Sequence, residues 1–460
     1  MIVMKFGGTS IEDIPSVERV VEIINSRLEQ RPVVINSAMG KTTRKLLEIA
    51  RLSAEGMDEK ALSRLDEIRG YHFDMARGLT PDFEDSDVRT TLEGYFEELQ
   101  RLMGGLSVLR ELTPRSQDRI LSYGELVATT IIASALQSRG INTRWLDARD
   151  FIITDERFTR ARPLDEFTFP GIQEKVRPLV ESGHVPVIQG FIGSARSGAT
   201  TTLGFEGSDL TAALAGAALD ASVIQIWKDV NGIMTADPRI FSGALTIKNI
   251  SFEEASELTF FGAKVLHPGT IEPARRKRRK NISVGIYNSR RPDAGGTTIT
   301  ARAKRGTELI KSIAYNMSVR IVSITPDSHV SPDCFLRSIF DILDRERITP
   351  CILTTARTGI AMALGASEDM GGAIDELKCL GVVNIVGEKA TVSLVGEKIR
   401  TSRDFASALF RNLEDVNIDM IAHGASPISL TFVVDETDIP SVIARLHETF
   451  FKDPDPDIFD

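Results

Sequence analysis

The sequence predicts an α/β protein built on a mainly parallel sheet sandwiched by helices, followed by two small α+β modules. Three observations carry this. Short Val- and Ile-rich runs alternate with longer helical patterns over about the first 290 residues, the stretch from about 60 to 115 is helical without a convincing strand, and the last 150 or so residues contain a repeat. Alternating strand and helix is the pattern of a parallel sheet covered on both faces. At 460 residues the chain exceeds one ordinary domain, and two or three are expected.

Val33-Val34-Ile35, Val185-Pro186-Val187-Ile188, Val223-Ile224-Gln225-Ile226 and Ile282-Ser283-Val284-Gly285-Ile286 read as strands, with helices such as Ser16 to Leu28 and Asp209 to Leu219 between them. The longest apolar stretch, Leu210 to Trp227, carries Asp220 in its middle and reads as a buried helix followed by a strand rather than a membrane span. Leu92, Phe96, Leu99 and Leu102 give the helical insertion its periodicity. A loop-like stretch at Asp293 to Thr298 and a basic segment at Ala301 to Arg305 place a boundary near residue 305. Beyond it, Phe335 to Leu364 slides onto Phe405 to Val434 at an offset of 70 residues. Phe335 meets Phe405, Ile339 meets Leu409, Phe340 meets Phe410, Leu343 meets Leu413 and Ile348 meets Ile418, and each helix is followed by two strand-like runs. The expected domains are 1–305, 306–385 and 386–460.

With 42% hydrophobic and 26% charged residues, the chain is neither disordered nor collagen-like. A net charge of -9 argues against gripping nucleic acid or anionic membrane. Cys334, Cys351 and Cys379 form no C-x-x-C pair, so neither a zinc site nor a disulfide framework is suggested, and a reducing cytoplasm fits best. The apolar start is too short for a signal peptide, so no export is expected. The basic run Arg275 to Lys280 reads as a solvated helix end rather than a nucleic-acid patch.

Lys5-Phe6-Gly7-Gly8-Thr9-Ser10 leads a strand into a glycine pair, hydroxyls and a helix. Glycines let backbone N–H groups approach an anion, the helix N-terminus adds a favourable dipole, and lysine adds a mobile positive charge. A Gly-Gly pair alone only marks a tight turn; further segments supply the context. Gly198 to Gly204 is rich in Gly and Thr and runs into Phe205-Glu206-Gly207-Ser208-Asp209, where Ser208 and Asp209 sit at an expected N-cap. Ser37-Ala38-Met39-Gly40-Lys41-Thr42-Thr43 also joins a strand to a helix but lacks the first glycine of a Walker A loop.

In these segments, together with Ser122-Tyr123-Gly124-Glu125, Trp227 to Arg239 and Phe261 to Pro268, the chain resembles the aspartate kinases of the amino-acid kinase superfamily. The resemblance covers essentially the whole chain, since such kinases commonly end in tandem ACT modules. It implies an amino-acid kinase fold followed by two ferredoxin-like ACT modules. It also implies ATP-dependent phosphorylation of the aspartate side-chain carboxylate, with magnesium arriving on ATP and no dedicated metal site. By resemblance, Lys5 would stabilise the transferring phosphoryl group and Asp209 would organise the lysines around it. Gly7 and Gly8 would supply N–H groups. Lys228, Asp229, Met234, Asp237, Arg239, Lys264 and Val265 would hold the nucleotide. Glu125 would bind the ammonium of aspartate, with Ser37, Thr42, Gly207 and Ser208 near its carboxylates. His267, inside a family motif, is expected to be structural.

One departure stands out. Where many such kinases carry Arg-Gly-Gly-Ser-Asp, this chain carries Phe205-Glu206-Gly207-Ser208-Asp209. Phenylalanine cannot reproduce an arginine fork on a carboxylate, and Arg44 and Arg196 are the candidate substitutes. This keeps open a kinase acting on another carboxylate, or a catalytically silent amino-acid sensor. The ACT modules imply feedback by an amino-acid effector, whose identity the pocket residues leave open, and pairing into homodimers or larger assemblies.

Overall fold

The Val- and Ile-rich runs become the middle of a parallel sheet. β1 (Ile2–Phe6), β2 (Pro32–Asn36), β3 (Thr143–Leu146), β4 (Val185–Gln189), β5 (Val223–Lys228) and β6 (Ser283–Asn288) pair in parallel in the order β3-β4-β2-β1-β5-β6, and β7 (Thr297–Thr300) adds antiparallel to β6. Every residue of β1, β2 and β4 is buried, which is why they read as continuous apolar runs rather than alternating ones. The computed structural model describes residues 1–204, 206–262, 282–303, 309–327, 331–366, 368, 370–397 and 399–460. Contacts divide the chain into one unit of Met1–Ile233 with Leu266–Ala303 and another of Met234–Val265 with Lys304–Asp460.

In the first unit, α1 (Ile14–Asn25) follows the glycine pair and is capped by Asp13, which accepts from the Ser16 N–H at 2.8 Å. α3 (Asp58–Leu79) and α4 (Asp87–Leu109) form the expected helical region, flanked by α2 (Thr42–Ala54) and α5 (Pro114–Ser138). The buried stripe of α4 runs Leu92, Phe96, Leu99, Met103, Leu106; Leu102, expected on it, is only partly buried because a strict 3.6-residue period puts Met103 there instead. α5 is the one described helix long and apolar enough to cross a bilayer, and most of it is buried inside the unit. α6 (Gly207–Leu219) precedes β5, matching the reading of the Leu210 to Trp227 stretch.

The second unit centres on a six-stranded antiparallel sheet. β8 (Ser312–Pro326), β9 (Ile352–Ala356), β10 (Gly359–Gly365), β11 (Gly381–Val395), β12 (Met420–His423) and β13 (Ser429–Asp435) lie in the order β9-β10-β8-β11-β13-β12. Helices α8 (Pro332–Arg345), α9 (Gly371–Lys378), α10 (Phe405–Arg411) and α11 (Ile439–Phe450) belong to this unit, and α7 (Phe252–Phe260) joins them from the Met234–Val265 segment. β8 and β11 pair along both halves, with irregular register between Asn316 and Ile321, so each repeat takes one half of each long strand. The expected junction at 385/386 therefore falls inside β11, and the one at 305 falls outside the described residues.

Phe335, Ile339, Leu343 and Ile348 enter one apolar core with Ile360, Met362 and Leu377. Phe405, Leu409 and Leu413 are buried at the matching positions, but Phe340 is half exposed: it lies one residue, about 100° of helix rotation, past Ile339. Met234–Val265, read from sequence as part of the first domain, falls in this unit. The Ile313 N–H donates to Thr235 O at 2.8 Å, Thr235 Oγ1 lies 2.8 Å from His447 Nε2, and the buried Lys311 Nζ lies 3.0 Å from the buried Glu254 Oε2.

Candidate active site

Ligands of parallel α/β sheets collect where strands end and loops diverge. β1, β2 and β5 end side by side at Phe6, Asn36 and Trp227. Just beyond them opens a cleft of about 650 Å³, lined by Lys5, Gly7, Gly8, Ser37, Glu125 and Lys228 together with the start of α6.

At its floor lies a charge cluster drawn from segments more than 200 residues apart. Lys5 Nζ is 2.6 Å from Asp209 Oδ1, and Lys228 Nζ is 3.0 Å from Asp209 Oδ2 and 3.4 Å from Glu206 Oε1. Burial pushes the Asp209 carboxyl upward, but Lys5 and Lys228 outweigh it and hold it below its ordinary value. Burial likewise lowers Lys228, and Asp209 and Glu206 more than reverse this. Both lysines line the cleft beside the positive end of the α6 dipole, an arrangement suited to several phosphate oxygens.

Ser208 and Asp209 are not caps. The N-cap of α6 is Glu206, in the left-handed region at φ 54° and with no side-chain capping bond, so Asp209 lies in the first turn with its carboxylate free for the lysines. Ser208 packs on Gly190, where a Cβ would stand 2.4 Å from its own; only glycine admits that approach.

Glu125, on the inner face of α5, accepts from the Ala38 N–H at 3.1 Å through Oε1, while Oε2 is buried without a hydrogen-bond partner. Burial pushes its pKa up to about 8, against smaller lowering by the Ala38 N–H, Thr43 and Lys5. Between pH about 4.5 and about 8 the folded protein keeps a proton that the unfolded chain has lost, so this group makes stability fall as pH rises through that window. Glu125→Gln should remove that slope, and its unfolding free energy relative to the parent should climb from pH 5 to pH 8. Parallel pH dependences in urea titrations would contradict the assignment.

Asp118, two helical turns before Glu125, was not marked out by the sequence reading. It is fully buried and accepts from Thr202 N and Oγ1 at 2.9 and 2.6 Å and from Thr159 N at 2.9 Å, tying two cleft loops to α5. The signal was present, since Asp118 and Glu125, two turns apart, share one face of α5 and are its two acidic residues.

Of the other expected residues, Ser37, Gly207 and Ser208 line the cleft. Thr42 does not: its Oγ1 donates to Met39 O at 2.6 Å, and the neighbouring Thr43, with Lys41 and Gln117, lines the cleft. The Gly7 N–H donates to Trp227 O at 3.1 Å and is engaged in extending the sheet rather than aimed at an anion. At Gly8 a Cβ would meet Ala38 O at 2.5 Å, so the close passage there needs glycine. Asp229 is exposed beyond β5. Met234, Asp237 and Arg239 fall in the second unit, where Arg239 Nη2 is 2.6 Å from Asp237 Oδ2 and Tyr315 donates to the same oxygen at 3.1 Å. Arg44 lines the cleft, whereas the exposed Arg196 stacks on Phe167 at 4.9 Å. Phe205, Lys264, Val265, His267 and the Arg275 to Lys280 run lie outside the described residues.

Residues 1–288 match the amino acid kinase family and residues 392–450 an ACT domain. Aspartokinase 1, chloroplastic, from Arabidopsis thaliana is 33% identical over 470 residues, covering 98% of this chain and 80% of its own length. Lysine-sensitive aspartokinase 3 from Escherichia coli is 34% identical over 466 residues, covering 98% of this chain and 99% of itself. Among solved structures, E. coli aspartokinase III in complex with aspartate and ADP (R-state) matches at a TM-score of 0.87 and 33% identity, over 98% of this chain and 100% of that one. The same enzyme in complex with lysine and aspartate (T-state) gives 0.81 and 32%, over 98% and 99%. Likeness of this depth along nearly the full length, on a cleft carrying paired lysines around one buried aspartate, shows that the chain belongs to the amino acid kinase family, among its aspartokinases.

Proposed function

We propose that the chain transfers the γ-phosphate of MgATP to the side-chain carboxylate of L-aspartate, giving 4-phospho-L-aspartate, the first step toward lysine, threonine and methionine. The observation that carries this is the Lys5–Asp209–Lys228 cluster in the same cleft as Glu125. A carboxylate nucleophile is already ionised at neutral pH and needs no general base; the obstacle is its repulsion from the phosphates. Lys5 and Lys228 meet that obstacle, Asp209 holds them in place, and Gly8 lets the backbone come close. Magnesium rides on the phosphate oxygens in this reading, because Asp209 and Glu206 are both paired with lysines. Lys264, with Asp229, Met234, Asp237 and Arg239, completes the nucleotide set on the strength of the sequence resemblance.

An ammonium beside the unpartnered Oε2 favours the ionised form of Glu125, so Glu125 would take the substrate ammonium as a carboxylate, and Ser37, Thr43 and Ser208 would lie near the substrate's carboxylates. Arg44 takes the place of the arginine missing at position 205. Arg44→Ala should raise KM for aspartate about tenfold, the loss of a charge-assisted contact, while Arg196→Ala leaves it within about twofold. Equal steady-state constants in both variants and the parent would remove Arg44 from the site. The ACT modules supply an amino-acid effector site and side-by-side pairing into homodimers or larger assemblies, so that end product feeds back on the kinase.

The deciding experiment is hydroxamate trapping with ATP and magnesium against aspartate, glutamate and N-acetylglutamate. Acyl phosphate from aspartate is expected. Product from another carboxylate instead reassigns the substrate, and none from any leaves a binding-only sensor.

A further inference from the structure

Glu206 has no local reason to be a glutamate. Its backbone is left-handed, at φ 54° and ψ 24°, which costs an L residue about 1 kcal/mol, and its side chain makes no capping bond to α6. In the Arg-Gly-Gly-Ser-Asp pattern common among similar kinases, this position is glycine, which adopts that conformation without cost. What the carboxylate does is reach into the cleft and stand 3.4 Å from Lys228 Nζ.

Among the described residues, the floor of the cleft brings the cations Lys5 and Lys228 together with the anions Asp209 and Glu206. The anions are not equivalent. Asp209 is fully buried with one oxygen on each lysine, so parting it from them would strand charge away from water. Glu206 is 17% exposed and meets Lys228 at the longer distance. It is the acid placed to give way.

We propose that Glu206 is a displaceable counter-ion that competes with phosphate oxygens for Lys228 and thereby weakens nucleotide binding. Asp209 fixes where the ammonium sits, and Glu206 sets how much of its charge a nucleotide can claim. The proposal rests on the phosphoryl-transfer reading of this cleft.

The test is calorimetric titration of MgADP into the full-length parent, Glu206→Gln and Glu206→Gly. Both variants remove the charge, and only the glycine also relieves the backbone. Both should lower Kd about three- to tenfold at low ionic strength, as expected for removing one partly exposed ion-pair competitor, and the gap should narrow at high salt. An unchanged or weaker Kd in Glu206→Gln overturns the proposal, as does tightening in Glu206→Gly alone, which would make backbone strain the cause. A parent that forms acyl phosphate and binds MgADP no differently from the variants removes this proposal only; a parent that binds no MgADP removes the nucleotide reading with it.

Discussion

Asp209→Asn should reduce acyl-phosphate formation by about 10² to 10³-fold and lower stability by about 3 kcal/mol. The two losses have one source. In the parent, each oxygen of a fully buried carboxylate is taken by a different lysine, at 2.6 and 3.0 Å. Asparagine offers one acceptor and turns an amide NH2 toward the second ammonium, leaving a cation in the cleft floor without its partner. The stability figure is set at the low end for a broken buried pair because both lysines border the cleft. The pH dependence adds a second signature. The parent carboxyl titrates below its ordinary value, so its contribution is present at neutral pH and is lost as pH falls through the acid range below about 4. Urea titrations at stepped pH from 7 downward should therefore show a full gap between parent and variant at pH 7 that begins to narrow once the pH falls below about 4. A variant with parental kinetics would show that Asp209 organises nothing the reaction uses.

Lys5→Met should leave the fold intact and cut kcat by about 10² to 10³-fold. Methionine fills the same buried path at the end of β1, and Asp209 keeps Lys228 as its partner. What disappears is one positive charge facing the cleft, needed most where negative charge spreads over the transferring group. Arginine is not expected to rescue, since its planar fork cannot occupy the narrow, almost fully buried position of a compact ammonium. A kcat within about threefold of the parent, at unchanged melting temperature, would exclude Lys5 from the phosphoryl-transfer step.

Much of the architecture was readable because burial writes itself into local pattern. A strand covered on both faces has to be apolar throughout, so Val33-Val34-Ile35 and Val185 to Ile188 announced the parallel sheet. A duplicated module has to repeat its core, so Phe335, Ile339 and Leu343 announced Phe405, Leu409 and Leu413. Lys5 and the glycine pair were legible for a similar reason: a lysine near the end of an apolar strand and followed by two glycines is a local pattern, and all three line the cleft. Two of the misses at the site were of one kind. Thr42 and Thr43 are adjacent, and only the packing of α2 decides which hydroxyl turns to Met39 and which to the cleft. Ser208 and Asp209 looked like caps because capping is a local preference, whereas the cap itself is Glu206.

By itself, then, the sequence determined the alternation of strands and helices, the duplicated C-terminal modules and the glycine-rich turns that border the cleft, all properties of neighbours along the chain. Only the tertiary structure decided that Lys5, Asp209 and Lys228 share one cluster, that β8 and β11 run through both modules, and that Glu206 bears on Lys228. Those facts depend on which strands lie side by side and where each helix begins, and ion pairs between residues far beyond one helical or strand repeat leave no periodicity to read.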